Sequence, residues 1–303
     1  MDNRSTGQAQ TEAPYIVAVS GGVDSVVLLD ILAKKLPVSR LVVAHFDHGV
    51  RNDSVQDRLF VEALARSYSL RFVFDEAQLG AGASEDSARK ARYGFLRHAK
   101  VQHGASHIVT AHHQDDVLET AILNLLRGTG RKGLSALRSR DDLYRPLLPT
   151  PKSHIVTYAE KNGLRWREDS TNASQNYLRN YVRQRIVSKF DAAARRELLG
   201  HIERAGHANT EIDALLEAEL RRQPGAGVMD RQWFIMLPHA VAREAMAAWL
   251  RQAGAANFDR KAVERLTVTA KISLPGKQAD INNGLMMVVS KDELRIARRG
   301  ALQ

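Results

Sequence analysis

Short apolar runs and amphipathic stretches alternate through the first half of the chain. Runs at Tyr15–Val19, Leu41–Phe46, Leu70–Phe74 and Ile108–Ala111 are rich in Val, Ile, Leu and Phe and predict strands. Between them, apolar residues recur at helical spacing, which predicts helices over Asp24–Lys35, Ser54–Ser67, Ser84–His103 and Asp115–Leu126. The third opens on Ser84-Glu85-Asp86-Ser87, a capping residue followed by acids in the first turn. Strand and helix alternating at this spacing predict an α/β fold, a parallel sheet with helices on both faces. Pro146, Pro149 and Pro151 precede a further helix near Lys152–Lys161.

The pattern changes after Ser188. Ala192, Leu198, Leu199, Ile202, Ile212, Leu215, Leu216 and Leu220 fall in a long stretch without proline, which reads as one or two long helices broken near Gly206. Gln223-Pro224-Gly225-Ala226-Gly227 ends that stretch. A small α+β module follows, with helices near Ala240–Ala253 and Phe258–Thr269. After them come β-like segments at Lys271–Leu274, Gln278–Ile281, Leu285–Val289 and Leu294–Arg298. Asn282-Asn283-Gly284 suits a hairpin turn. The expected organisation is a flexible tail over 1–14, an α/β domain over 15–188, a helical linker over 189–222 and a C-terminal domain over 223–303.

Composition narrows the class of function. The 303 residues are 44% hydrophobic and 26% charged, as in soluble globular proteins. A net charge of +10 favours a polyanionic partner. The absence of cysteine excludes disulfides, thiolate-bound zinc and Fe–S clusters from these residues. No apolar run approaches the ~20 residues that span a bilayer. The polar segment 1–14 lacks the apolar stretch of a signal peptide, so a cytoplasmic location is expected.

The candidate chemistry sits where predicted strands end. After the first strand comes Ser20-Gly21-Gly22-Val23-Asp24-Ser25, then a helix. Glycines let the backbone approach a ligand, hydroxyls donate, and a helix N-terminus favours negative charge, so this turn is suited to phosphate. It is not a Walker loop, because no lysine follows Gly22. After the second strand, His45-Phe46-Asp47-His48-Gly49-Val50-Arg51 could be a metal site, a nucleotide or substrate loop, or plain structure. Arg89 and Arg92 share a helical face that is either a solvated surface or a phosphate clamp. After the fourth strand, Ala111-His112-His113-Gln114-Asp115-Asp116-Val117-Leu118-Glu119-Thr120 crowds acids into a first helical turn. Asp116 and Glu119 share a face there, suited to an ammonium group or Mg²⁺. Arg127-Gly128-Thr129-Gly130-Arg131-Lys132-Gly133 contains Gly-x-Gly-x-x-Gly, but it follows a helix, so a mobile basic loop supplying phosphate contacts is the better reading. Trp166–Asn172 and Tyr177–Arg183 interleave basic and aromatic side chains, as contacts to RNA backbone and bases require; Leu178, Val182 and Ile186 also form an inward apolar stripe.

Ser20–Ser25 resembles the loop of the PP-loop ATP pyrophosphatase family, whose members cleave ATP between the α and β phosphates. With His45–Arg51, Glu85–Tyr93, His112–Thr120, Arg127–Leu134, Arg145-Pro146-Leu147-Leu148 and Glu168–Arg183 in this order, residues 15–190 resemble the tRNA(Ile)-lysidine synthase family. The later helices resemble that family's recognition region more loosely. Longer members carry a further C-terminal domain, expected to be absent or incomplete after Arg298. The resemblance implies an ATP-dependent ligase forming a carbon–nitrogen bond between lysine and the wobble cytidine of a tRNA(Ile) with a CAU anticodon. ATP and Mg²⁺ are the implied cofactors, tRNA(Ile) and free L-lysine the partners, with a homodimer left open; no resident metal is implied. By the same resemblance Ser20, Gly21, Gly22, Val23, Asp24 and Ser25 would hold phosphates, with Asp24 on Mg²⁺. Arg92 would stabilise developing charge. His112, Asp116 and Glu119 would bind the lysine ammonium, and one of these acids, or Asp24, would take its proton. Arg127, Arg179 and Arg183 would touch RNA or the adenylate. The alternatives are another PP-loop ATP-dependent tRNA-modifying or adenylating enzyme, such as a thiolase, which the missing cysteines oppose, and a non-enzymatic RNA-binding module.

Overall fold

Strand β1 (Tyr15–Ala18) carries Ile16 and Val17 on opposite faces, both with no exposed surface, so it must be covered from both sides. A computed structural model describes residues 12–47, 54–77, 85–140, 142–167, 177–225, 227–255, 258–282 and 284–299. The chain divides into two compact units, one of residues 1–129 and 133–202, the other of 130–132 and 203–303.

In the first unit β1 leads through α1 (Val23–Lys35) to β2 (Leu41–Asp47), then α2 (Ser54–Ser67), β3 (Arg71–Glu76), α3 (Glu85–Gln102), β4 (His107–Val109), α4 (Gln114–Leu126), β5 (Leu143–Tyr144) and α5 (Lys152–Lys161). The sheet is parallel throughout, in the order β3-β2-β1-β4-β5. Val17, Val19, Val43 and Val109 face one side and pack on Leu28 of α1, Val61 of α2 and Ile155 of α5. Ile16, Val42, Ala44 and Ile108 face the other and pack on Tyr93, Leu96 and Ala99 of α3. Helices therefore cover both faces, as the strand pattern implied. The short strand β5 was not evident from the sequence, because two residues show no alternation.

The sheet order reverses at β1. Chain leaving β1 moves toward β2 on one side, and chain leaving β3 crosses to β4 on the other. The crevice beyond the carboxyl ends of β1 and β4 is where sheets of this kind bind ligands. Both the Gly-rich turn and the His-His-Gln-Asp-Asp segment open onto it.

After α6 (Tyr177–Tyr181), a π-helical turn at Val182–Ile186 and a 3₁₀ turn lead into α7 (Ala192–Arg221). This helix is continuous through Gly206, not broken there. A single glycine costs only about 1 kcal/mol inside a helix, and no proline interrupts the run. The first unit extends to Ile202, past the start of the helix, because Leu198, Leu199 and Ile202 pack with Val117, Leu118 and Ala121 of α4.

The second unit continues with β6 (Val228–Asp230), α8 (Arg231–Met236), α9 (His239–Gln252), α10 (Arg260–Ile272), β7 (Gln278–Asn282), β8 (Leu285–Val289) and β9 (Glu293–Arg298). Its antiparallel sheet runs β6-β9-β8-β7 around Phe234, Met246, Trp249, Leu266, Met287 and Leu294. The segment Lys271–Leu274 is not a strand. Helix α10 runs on to Ile272, and Lys271 Nζ donates to the carbonyls of Ile235 and Leu237. The fourth strand is instead β6, paired with β9. Asp230 caps α8, accepting from the Trp233 amide at 2.7 Å. The buried Arg231 guanidinium donates to the carbonyls of Ala270, Ser273 and Ser290, a structural use of an arginine. Among the described residues no helix is long and apolar enough to cross a membrane.

Candidate active site

The turn after β1 is shaped by its own hydroxyls and one glycine. Gly21 has φ +95°, which side chains rarely tolerate, and its carbonyl accepts the Arg167 amide at 2.9 Å. Gly22 is the N-cap of α1. The buried Ser25 Oγ accepts from the amides of Ser20 and Gly21, each at 3.2 Å, and donates to the Gly22 carbonyl at 2.9 Å. Ser25 thus pins the turn from within, and Ser20, exposed, is the hydroxyl open to a ligand. Arg167, which also binds Asp57 at 2.5 Å, closes the turn from the side.

His45 lies beneath, on β2. Its Nδ1 is 2.9 Å from the Val19 carbonyl, and burial holds its pKa below the ordinary value. It is a neutral ring that fastens β2 to the end of β1. His48–Arg51 and Glu168–Gln175 lie outside the described residues, as does Ser84, the expected cap of α3.

Across the crevice, α4 begins with three anchored polar residues, His113, Asp115 and Asp116. The His113 amide donates to Asp116 Oδ2 at 2.9 Å, closing the first turn. Asp115 accepts from Arg195 at 3.0 Å and from the Lys152 amide at 3.3 Å, so it ties the starts of α4, α5 and α7 together. His113 Nε2 lies 3.5 Å from Asp116 Oδ2 and 3.8 Å from Asp24 Oδ2. It bridges the phosphate-type turn and the acid cluster. Asp24 in turn holds Lys152 Nζ at 2.5 Å.

Glu119 is 1% exposed and is matched by a cation of the chain itself. Arg183 grips it with two bonds of 2.6 and 2.9 Å, and Arg179 Nε lies 3.6 Å away. The π-helical turn aims Arg183 at this carboxylate; such turns recur at functional sites. Glu119 therefore orients Arg183, and Asp116 is the acid of the pair with the weaker cation contact, 3.9 Å from Arg183.

His112 faces the other way. Its Nδ1 is 2.9 Å from Thr110 Oγ1 and 3.4 Å from Arg145 Nε, so both neighbours donate and the ring proton sits on Nε2. Burial, and then the charges of Arg145, Arg92, Arg89 and Arg179, push its pKa down to about 3. A neutral donor ringed by guanidiniums suits an anionic or carbonyl ligand. The expected role of His112 as a ligand for an ammonium does not fit these surroundings. Arg145 is buried and also donates to the Arg138 carbonyl. Arg89 and Arg92 lie over the Tyr93 ring at 4.9 and 5.3 Å.

The basic loop after α4 divides. Arg127 is exposed at the C-terminal end of α4, roughly 16 Å along the axis from Asp116 at 1.5 Å per residue. It is not brought to the acid cluster. Arg131 donates to Asp213 at 2.5 Å, Glu244 at 2.8 Å and Asn209 at 3.0 Å, and Lys132 binds Asp213 at 2.6 Å. These two cations are neutralised within the second unit, so the phosphate contacts expected of them are not what the geometry provides.

Among the described residues no cluster of three or more His, Cys, Asp and Glu side chains is arranged to hold a metal alone. Asp24, a half-buried carboxylate in the first turn of α1, fits Mg²⁺ carried on ATP, which takes one or two protein carboxylates and completes its shell with phosphate and water.

Residues 3–190 match the PP-loop domain family. A tRNA(Ile)-lysidine synthase of Geobacter sulfurreducens is 32% identical over 323 aligned positions, covering 99% of this chain and 68% of that protein. The chain belongs to the tRNA(Ile)-lysidine synthase family. The member from Thermotoga maritima is 39% identical over 181 residues, 57% of this chain and 44% of that protein. The chain therefore spans about half to two thirds of the length of these family members. The U34-tRNA thiolase NcsA from Methanococcus maripaludis, solved with its [4Fe-4S] cluster, superposes with a TM-score of 0.55 at 17% identity, over 64% of this chain and 71% of that one. That likeness concerns the fold alone.

Sequence reasoning assigned no role to Lys152, His113 or Arg145. One signal for Lys152 was available: a cation in the first turn of a helix opposes the macrodipole unless an anion lies close.

Proposed function

We propose that this chain uses ATP to ligate lysine to C2 of the wobble cytidine in a tRNA(Ile) with a CAU anticodon, forming lysidine and switching decoding from AUG to AUA. The observation that carries the reading is the bridge at the sheet's switch point: His113 within 3.8 Å of Asp24 and 3.5 Å of Asp116. It joins a phosphate-type turn to an acid suited to an amine, which is the pairing that adenylation followed by amine attack requires.

In the first step the cytidine O2 attacks the α-phosphorus, the bond to the bridging oxygen breaks, and pyrophosphate leaves. The amides at the start of α1 and Ser20 hold the phosphates, while Arg92 and Arg145 face the charge that develops. Asp24 would hold the Mg²⁺ carried on ATP, which would supply charge neutralisation on the phosphates. In the second step the lysine ε-nitrogen attacks C2, the C2–O bond breaks and AMP leaves. Asp116 receives the ammonium and takes its proton, since Asp24 is the carboxylate that would hold Mg²⁺ and Glu119 is closely engaged by Arg183. His112 Nε2–H and the arginines beside it face the RNA, and Arg183, held by Glu119, backs the adenylate. Rate comes mainly from positioning two ligands and one nucleotide in a single crevice.

With [α-³²P]ATP and no lysine, label moves to tRNA(Ile) bearing CAU and to no tRNA bearing GAU. Adding lysine then releases the label as AMP. AMP formed without tRNA, or retained label after lysine is added, contradicts the reading.

A further inference from the structure

The turn at Ser20–Ser25 has no lysine or arginine, and the next cation in the chain is Lys34, at the far end of α1. Pyrophosphate leaving from that turn gains charge that glycine amides and one hydroxyl meet only in part. The fold brings a cation there from elsewhere. Lys152, the first residue of α5, places Nζ 2.5 Å from Asp24 Oδ1, across 128 positions of sequence. Its position is fixed at the backbone, because the Lys152 amide lies 3.3 Å from Asp115 Oδ1.

The pair makes little sense as a stability device. Its side chains are 37% and 29% exposed, and an ion pair so open to water contributes about 0–1 kcal/mol. The lysine stem has four rotatable bonds and a compact charge, which allows the ammonium to move a few ångströms without moving α5. Asp24 is also the carboxylate that fits Mg²⁺, so the two cations compete for the same oxygens.

We propose that Lys152 is a catalytic residue of the adenylation step. Its ammonium rests on Asp24 until ATP is seated, then turns to the β- and γ-phosphate oxygens and neutralises pyrophosphate as it departs. Lys152 does from a separate helix what an in-line lysine does in a Walker loop. The inference rests on the ATP reading above, but not on the identity of the amine or the tRNA.

The test is direct binding to the whole chain, with Mg²⁺ present and no tRNA, of ATP, inorganic pyrophosphate and AMP. Wild type binds all three. Lys152→Met lowers pyrophosphate affinity about tenfold or more, the loss of one charge-assisted contact, and leaves AMP affinity within about twofold. Lys152→Arg recovers most of the pyrophosphate affinity. Unchanged pyrophosphate binding in Lys152→Met, or equal losses for pyrophosphate and AMP, overturns the role of Lys152 while leaving the ATP reading intact. A wild-type protein that binds none of the three overturns both.

Discussion

His112 and His113 are adjacent in sequence and face opposite chemistries. His113 looks onto two carboxylates, Asp24 and Asp116, and Glu119 follows on the same helix as Asp116; Asp24 and Glu119 are closely engaged by the chain's own cations, Lys152 and Arg183. His112 looks onto a wall of guanidiniums, Arg89, Arg92, Arg145 and Arg179, and burial first and these charges second keep it neutral. On the acid wall the protein has supplied cations that hold the site together before any ligand arrives. On the arginine wall it has gathered positive charge around an uncharged ring, which is how a surface is built for a polyanion. On the proposed reading a substrate ammonium belongs to the first wall and RNA to the second, and the two histidines mark the line between them.

The strongest way to break this contrast is at Glu119. Arg183→Ala leaves a carboxylate with 1% exposure held only by the longer 3.6 Å contact to Arg179, which costs up to about 3–5 kcal/mol of stability in denaturant titrations. Arg183→Lys keeps the charge but loses the two-pronged bond, and falls between the two. If Arg183→Ala unfolds like wild type, the acid wall is not internally compensated. Next in size, Asp116→Asn raises the KM for lysine about tenfold or more, with the KM for ATP within about threefold. An equal rise in both means that Asp116 serves the phosphates.

The arginine wall gives a pH signature. The unfolded chain takes up a proton on His112 near its ordinary value of 6.5, whereas the folded chain refuses it down to about 3. The stability contribution of this group is complete above pH 6.5 and falls as pH drops from there toward 3. The slope reaches at most about 1.4 kcal/mol per pH unit. His112→Gln removes that share of the slope. His45, also lowered by burial, and the paired carboxylates Asp30, Asp142 and Asp213 contribute to what remains. An unaltered slope shows that the folded chain does not resist protonation of His112. The smallest effect is Arg89→Ala, which reduces the salt dependence of tRNA binding by about one phosphate contact. Arg127→Ala, at the other end of α4, serves as its control for a basic side chain away from this wall.

Much of this architecture was legible in the chain because it rests on local signals. Strand, Gly-rich turn and helix at residues 15–35, and the acids at 115–119, follow from periodicity and capping. What sequence did not convey was pairing at a distance. Arg183 and Glu119 are 64 positions apart, and Lys152 and Asp24 128. No local pattern tells a lysine that will face solvent from one that will face an aspartate. The basic loop shows the same limit from the other side: Arg131 and Lys132 read as phosphate ligands beside glycines, yet Asp213 and Glu244, more than 80 positions on, hold them. Likewise Lys271–Leu274 has the composition of a strand, and the carbonyls of Ile235 and Leu237 fix it at the end of a helix.

The most direct measurement is nucleoside analysis by mass spectrometry of tRNA(Ile) bearing CAU after incubation with the protein, ATP and lysine. The account predicts that the wobble cytidine gains the mass of lysine less one water, with AMP released in equal amount. Unmodified cytidine alongside continuing AMP release would contradict it.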